Sequence, residues 1–359
     1  MVVRKSRLRP SRRSFLAGTA IMAAGLTFGS RGAFSEEEKA LTLYNWDTYI
    51  GPDTLSDFND ASGIEVKMDL FADNDELFAK LKGGNPGYDV IVPTNDYVER
   101  MIAANMLMQL DLDKIPNFTN LEKRFQDAEF DPGRKYSLPY MWGTVGIGYS
   151  KKDVKSAPVS WKPLFDSDEY AGRISLLGDA QNVIQPALKY LGFSLNTKDP
   201  AQIKQAEELI IAQKPRIKVF ADDNGQDLLA SGEVVMCEEW NGDILQVMGE
   251  DDNLDYALPK EGGLLWQDCV AIPSGAPHPQ NAHAFLNFIN EPKVNAAIAE
   301  AIQFATPNAA AKKLMPESYT GNPAIFPSEE ALAKCEAGLY LGEDITRLYD
   351  EAWTRINAA

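Results

Sequence analysis

The chain is poor in the residues on which most catalysis depends. It has two histidines and three cysteines in 359 residues. It carries no H-E-x-x-H zinc helix, no G-x-S-x-G nucleophile turn and no phosphate loop. His278 and His283 stand five apart beside prolines, a spacing that does not put both on one helix face, and both are expected at the surface. Cys237, Cys269 and Cys335 are too few and too scattered for a disulfide scaffold, and no spacing among them suits a metal. An oxidising compartment permits one bridge, Cys237 with Cys269, although buried free thiols are the expected state. No metal or cofactor is expected. Repeats and low-complexity tracts are also missing, which with a hydrophobic content of 45% argues for a globular protein with a sizeable core.

Long apolar runs are absent as well. The apolar stretch from Phe15 to about Phe28 is broken by Gly18, Thr19 and Gly25, well short of the roughly 20 apolar residues that span a bilayer. It follows Arg4, Lys5, Arg7, Arg9, Arg12 and Arg13, and no acidic residue occurs before Glu36. This is the pattern of an export leader. Arg12-Arg13 directly before the apolar stretch is the twin-arginine address, and Ala33-Phe34-Ser35 offers small residues for cleavage after Ser35. Residues 1–35 are therefore expected to be a twin-arginine signal peptide. With no cysteine in it to lipidate, no membrane anchor is expected.

The formal net charge is −17, and the leader carries seven basic residues and no acid, so the remainder of the chain carries −24. A field of that sign repels nucleic acid and anionic lipid and attracts small cations.

What is present is an alternation of strand-like and helix-like runs. Leu41–Asn45, Ile64–Leu70 and Tyr88–Pro93 are short, rich in β-branched or aromatic residues and bounded by turns, while Asp53–Ser62 and Asn74–Lys82 between them are helical in character. A second set runs through strand Arg173–Leu177, helix Val183–Leu191, a helix opened by Asp199-Pro200 and stopped before Pro215, and strands Ile217–Phe220 and Val234–Glu238. Helices are expected over Asn281–Ile289, Lys293–Ile302, Ser328–Glu336 and Glu343–Ile356. This order predicts parallel sheets in two α/β lobes.

Three of the six tryptophans lie within three residues of an aspartate: Trp46-Asp47, Trp240-Asn241-Gly242-Asp243 and Trp266-Gln267-Asp268. An indole face attracts an organic cation and a carboxylate binds it through charge-assisted hydrogen bonds. Each pair is read as a strand end, and ligands bind at the carboxyl ends of strands in such sheets. Thr94-Asn95-Asp96 after Tyr88–Pro93 falls in the same place.

Leu43-Tyr44-Asn45-Trp46-Asp47-Thr48-Tyr49, Tyr88-Asp89-Val90-Ile91-Val92-Pro93, Leu138-Pro139-Tyr140-Met141-Trp142-Gly143, Trp240-Asn241-Gly242-Asp243, Pro259-Lys260-Glu261-Gly262-Gly263, Asp268-Cys269-Val270-Ala271-Ile272-Pro273 and Ala305-Thr306-Pro307-Asn308 resemble, in this order, the spermidine/putrescine-binding proteins of bacterial ABC importers. The likeness runs from Leu41 to about Ile356. It implies a periplasmic binding protein of type II: an α/β fold of two lobes, each a mixed sheet flanked by helices, with the ligand in the cleft between them. The expected segments are 36–142 for lobe 1, 143–266 for lobe 2, 267–314 returning to lobe 1, and 315–359 as C-terminal helices mainly on lobe 2. The first crossing is expected near Tyr140–Gly148 and the second near Asp268–Pro273.

The resemblance also implies a polyamine ligand, permease and ATPase partners, a periplasmic location and a monomer. It places Trp46, Asp47, Tyr49, Thr94, Asp96, Asp179, Trp240, Asp243, Trp266 and Asp268 at the ligand. Physically, flat rings bury methylenes at about 0.8 kcal/mol each, and carboxylates at matching intervals prevent an unpaired ammonium from being desolvated. The chain departs from spermidine-binding members at Asn182, where they carry a glutamate, and at Phe304, where a tyrosine is usual. Leu339 or Tyr340 stands where they have a glutamine. These changes point towards a diamine, or a ligand with one amine at a different spacing.

Two other classes compete with this reading. One is an exported hydrolase using paired carboxylates; the other is a binding protein for a different solute. Iron would need tyrosine and histidine ligands. An anionic solute would need arginines, of which the candidate site shows none. Thiamine, cationic and aromatic, stays open.

Overall fold

A computed structural model describes residues 37–359 apart from Asp223. The leader and its cleavage point lie outside the described residues. Ten strands are present among them: β1 (Ala40–Asn45), β2 (Glu65–Leu70), β3 (Val90–Ile91), β4 (Ser137–Ser150), β5 (Ile174–Leu177), β6 (Ile217–Ala221), β7 (Met236–Trp240), β8 (Leu254–Ala257), β9 (Leu264–Ala271) and β10 (Glu336–Ala337). The helices between them are α1 (Thr54–Ser62), α2 (Asn74–Lys82), α3 (Asn95–Ala103), α4 (Lys162–Phe165), α5 (Ala180–Tyr190), α6 (Pro200–Gln213), α7 (Gly225–Ala230) and α8 (Asn241–Met248). After β9 come α9 (Pro279–Ile289), α10 (Pro292–Ile302), α11 (Ala309–Lys312), α12 (Glu317–Thr320), α13 (Glu329–Leu332) and α14 (Glu343–Ala358).

The strands form one mixed sheet in the order β2-β1-β3-β9-β4-β7-β5-β6, with β10 beside β9 and β8 beside β4. Two parallel blocks stand at its ends, β2-β1-β3 and β7-β5-β6. The antiparallel pair β4 and β9 joins them. Ser137–Thr144 of β4 pairs with β9, whereas Val145–Ser150 pairs with β7 and β8. One strand thus belongs to both halves, and all fourteen of its residues are buried. A strand buried on both faces has to be mostly apolar.

Local chemistry accounts for the helices that position the cleft. Asp73 caps α2, its carboxylate accepting the Glu76 N–H at 2.7 Å. Asp75 and Glu76 fill the first turn and Lys80 and Lys82 the last, the charge order that the helix dipole favours. Asp199 caps α6 with Pro200 at the first helical position, and Asp179 caps α5.

Several expectations need correction. Trp266 and Asp268 do not close a strand; they lie inside β9, two apart and hence on one face of it. The Tyr88–Pro93 strand shrinks to Val90–Ile91, and the Ser328–Glu336 helix to Glu329–Leu332. His283 is buried on α9. Its Nε2 accepts the Asp111 N–H at 3.0 Å, and its Nδ1 meets the Pro279 carbonyl. Among the described residues all three cysteines are free, with Cys237 and Cys269 buried. No described helix is long and apolar enough to cross a membrane.

Candidate functional site

All six strands of the two parallel blocks deliver their carboxyl ends to one cleft, as the topology of such sheets demands. Trp46 and Asp47 follow β1, Asp73–Asp75 follow β2, Thr94–Asp96 follow β3, Asp179 follows β5, Asp222 follows β6, and Trp240 with Asp243 closes β7 and opens α8. Trp266 and Asp268 face it from β9. The cleft has two chambers that share Trp46, Thr94, Trp240 and Trp266. Trp46, Asp47, Tyr49, Thr94, Trp240, Asp243, Trp266, Asp268 and Phe304 line the first. Asp96, Asp179 and Asn182 line the second.

The first chamber is walled by rings packed edge to face. Trp240 meets Trp266 at 5.7 Å and 89°, Trp266 meets Phe304 at 5.1 Å and 81°, Phe304 meets Tyr49 at 5.3 Å and 77°, and Tyr49 meets Tyr140 at 5.3 Å and 80°. Each pair has the geometry that ring quadrupoles favour. Two glycines make the wall possible. A Cβ on Gly242 would lie 2.3 Å from the Phe304 ring, and one on Gly143 would lie 2.6 Å from the Trp266 ring and 2.2 Å from Asn241 Oδ1. The glycine of the Trp-Asn-Gly-Asp string therefore serves ring packing. Trp46 closes the other side, its indole N–H donating to the Val92 carbonyl at 2.9 Å while the ring leans on Phe71 at 4.5 Å.

Carboxylates stand against this wall. Asp268 is buried on β9 and accepts the Thr94 hydroxyl at 2.7 Å, and Thr94 in turn accepts from Asn74 Nδ2 at 2.9 Å. This relay fixes the carboxylate. Tyr49 is buried, and desolvation, with the Asp268 and Asp243 charges adding to it, raises its phenol well above the ordinary range, so it stays protonated. Asp243 sits in the first turn of α8, and Asp47 is exposed beside Thr48.

The second chamber is acidic. Asp179 accepts both the backbone N–H of Asn182 at 2.8 Å and its side-chain amide at 2.6 Å. Burial pushes the Asp179 carboxyl up to about 6; the Asn182 bonds oppose the rise, and the Asp73 and Asp75 charges add to it. Asp96 is buried on α3 and accepts Gln181 Nε2 at 2.8 Å, and burial raises it too. Asn182, named from sequence, thus orients a carboxylate.

Among the described residues nine aspartates line the two chambers against one cation, Arg100. That arginine corrects the expectation of none. It is already engaged, pairing with Glu343 at 3.1 Å and Asp75 at 3.5 Å and lying 4.1 Å over the Phe78 ring. Among the described residues no three histidine, cysteine or acidic side chains converge to hold a metal. The charge is strung along the cleft, which suits an extended cation. Asp73, Asp75 and Asp222 are absent from the residues named on sequence grounds; each follows a strand identified there, and the strand-end rule applied without a tryptophan marker finds all three.

A family model for bacterial extracellular solute-binding proteins matches residues 54–327. The putrescine-binding periplasmic protein SpuD of Pseudomonas aeruginosa is 36% identical over 344 residues, covering 91% of this chain and 94% of that protein. The spermidine/putrescine-binding periplasmic protein of Escherichia coli is 34% identical, covering 94% of this chain and 97% of its own. The crystal structure of the spermidine/putrescine ABC transporter substrate-binding protein PotD from Streptococcus pneumoniae superposes with a TM-score of 0.78 at 32% identity, over 89% of this chain and 99% of that one.

Proposed function

The chain belongs to the bacterial extracellular solute-binding proteins, and we propose that the solute it captures in the periplasm is a polyamine, which it hands to the permease and ATPase of an ABC importer. One observation carries the choice of solute: among the described residues nine aspartates line a cleft whose first chamber holds five aromatic rings and whose single arginine is already paired. Rings take the methylenes and carboxylates take the ammonium groups. The names of the relatives support the same ligand class and give none to thiamine or to a hydrolase. The protein binds its solute without transforming it.

In this reading Asp268, held by Thr94, and Asp243 take one ammonium, with Trp46, Tyr49, Trp240, Trp266 and Phe304 around the chain. Asp96 and Asp179 take another. The lobes are 36–142 with 267–314 and 143–266 with 315–359. The switch of β4 from β9 to β7 and β8 between Thr144 and Val145 supports the first boundary. The leader-free protein, stripped of carried ligand by unfolding and refolding, should melt at a higher temperature with putrescine or spermidine through mass action. No shift with any di- or triamine overturns the reading.

A further inference from the structure

Gln185 is a buried polar side chain whose acceptor goes unused. It lies on α5, is 2% exposed, and its Oε1 has no hydrogen-bond partner among the described residues. Leaving such an atom unpaired costs free energy that an apolar residue of the same shape would not. Gln185 also lines the acidic chamber, together with Asp96 and Asp179. Its neighbours along the helix have partners: Gln181 donates to Asp96, and Asn182 donates twice to Asp179. Each of those carboxylates keeps lone pairs to spare, since an ionised carboxylate can accept about four bonds.

An ammonium group of the lysine type has three N–H donors and no acceptor. Beside α5 the acidic chamber presents acceptors on Asp96, Asp179 and Gln185, two carboxylates and one neutral amide. We propose that Gln185 is a specificity-determining contact, its side-chain carbonyl accepting an N–H from a second, primary ammonium of the ligand beside Asp96 and Asp179. This rests on the polyamine reading and deepens it. The ligand class becomes an amine with a terminal primary ammonium at each end, the first among the rings and the second at α5. A buried carbonyl without a protein partner costs stability, a cost that functional sites carry.

The test uses the full leader-free chain, stripped and refolded, and two variants. Q185M keeps the length of the side chain and removes the acceptor; Q185E keeps an acceptor and removes the amide N–H donors. Calorimetry with putrescine and n-butylamine is paired with melting of the ligand-free proteins. The expected result is a tenfold or greater loss of putrescine affinity in Q185M, n-butylamine unchanged within twofold, a ligand-free Tm equal to or above that of the wild type, and putrescine binding retained in Q185E. Unchanged putrescine affinity in Q185M, equal losses for both amines, or a ligand-free Tm that falls with the affinity overturns the assignment. So does loss of putrescine binding in Q185E, which would assign the contact to the amide N–H. A wild-type protein that binds neither putrescine nor any other amine overturns the polyamine reading itself, whereas one that binds while Q185M binds equally well overturns only the role of Gln185.

Discussion

Thr94 donates its hydroxyl to the Asp268 carboxylate over 2.7 Å, joining residues 174 positions apart. The bond ties the turn after β3 to the middle of β9, where Thr94 and Asp268 also form an isolated antiparallel bridge. A buried carboxylate must be held by donors before a ligand arrives. Here the donor is itself held by Asn74, so the carboxylate is oriented by a chain of two side chains.

Thr94→Val removes that donor while keeping the shape of the side chain. A hydrogen bond to a charged group is worth about 2 kcal/mol, roughly thirtyfold in Kd. Calorimetry with putrescine should show a loss of up to that order, and the ligand-free variant should melt below the wild type because the buried carboxylate loses a donor. An unchanged Kd would mean that Asp268 needs no such support.

Affinity should fall as the pH drops below about 6, where Asp179 takes up a proton. A cation binds the carboxylate, so binding on the acid side of this value releases a proton and the observed enthalpy depends on the ionisation heat of the buffer. The Asn182 bonds hold the Asp179 carboxyl down, so Asn182→Ala should move the loss of affinity to higher pH. The ligand-free protein should behave in the opposite sense. A carboxyl whose folded pKa lies above its unfolded value contributes stability at low pH that is lost as the pH rises through about 6. Calorimetry and melting between pH 5 and pH 8 check both halves, and a flat affinity profile contradicts the first.

Glu238, on β7 behind the acidic chamber, is 1% exposed. Its Oε2 accepts the Leu177 N–H at 3.4 Å, and its Oε1 has no partner among the described residues. Burial, with the Asp179 charge adding to it, raises its carboxyl well above the ordinary range. Glu238→Gln should therefore match the wild type in Tm at pH 5 and equal or exceed it at pH 8, where ionising a buried acid costs the wild type stability. A variant less stable at pH 8 than the wild type would show that Glu238 is charged and usefully paired.

Gly242→Ala forces a methyl to within 2.3 Å of the Phe304 ring. Overpacking of this kind costs about 1–3 kcal/mol, and displacing Phe304 disturbs Trp266 and Tyr49, which pack on it. Both Tm and putrescine affinity should drop. Retention of both would show that the ring wall has room to shift.

Much of the cleft is legible in the amino-acid sequence, for a definite physical reason. Trp46 and Thr94 follow, and Trp240 ends, strands whose β-branched and aromatic runs are local signals, and the parallel topology sends their ends to one place. Trp266 and Asp268 do act as a pair, but within a strand and not at its end. The two-residue spacing that puts them on one face of β9 looks the same as a short turn when read alone. β4 escapes a local reading because Pro139, Gly143, Gly146 and Gly148 interrupt its apolar run. Gly143 is there to clear the Trp266 ring and Gly146 to clear Tyr256, both contacts distant in sequence. The burial of His283 depends on the Asp111 N–H 172 residues away, which no local pattern contains.

The central claim, that this acidic aromatic cleft takes an extended cation with charge at both ends, is tested most directly by calorimetric titration of the stripped, refolded protein with putrescine, spermidine, n-butylamine and thiamine. The account predicts saturable one-to-one binding of at least one of the two polyamines, with n-butylamine weaker by tenfold or more because it leaves the acidic chamber unfilled. Binding of thiamine or n-butylamine as tight as that of either polyamine, or no binding of either polyamine, would contradict it.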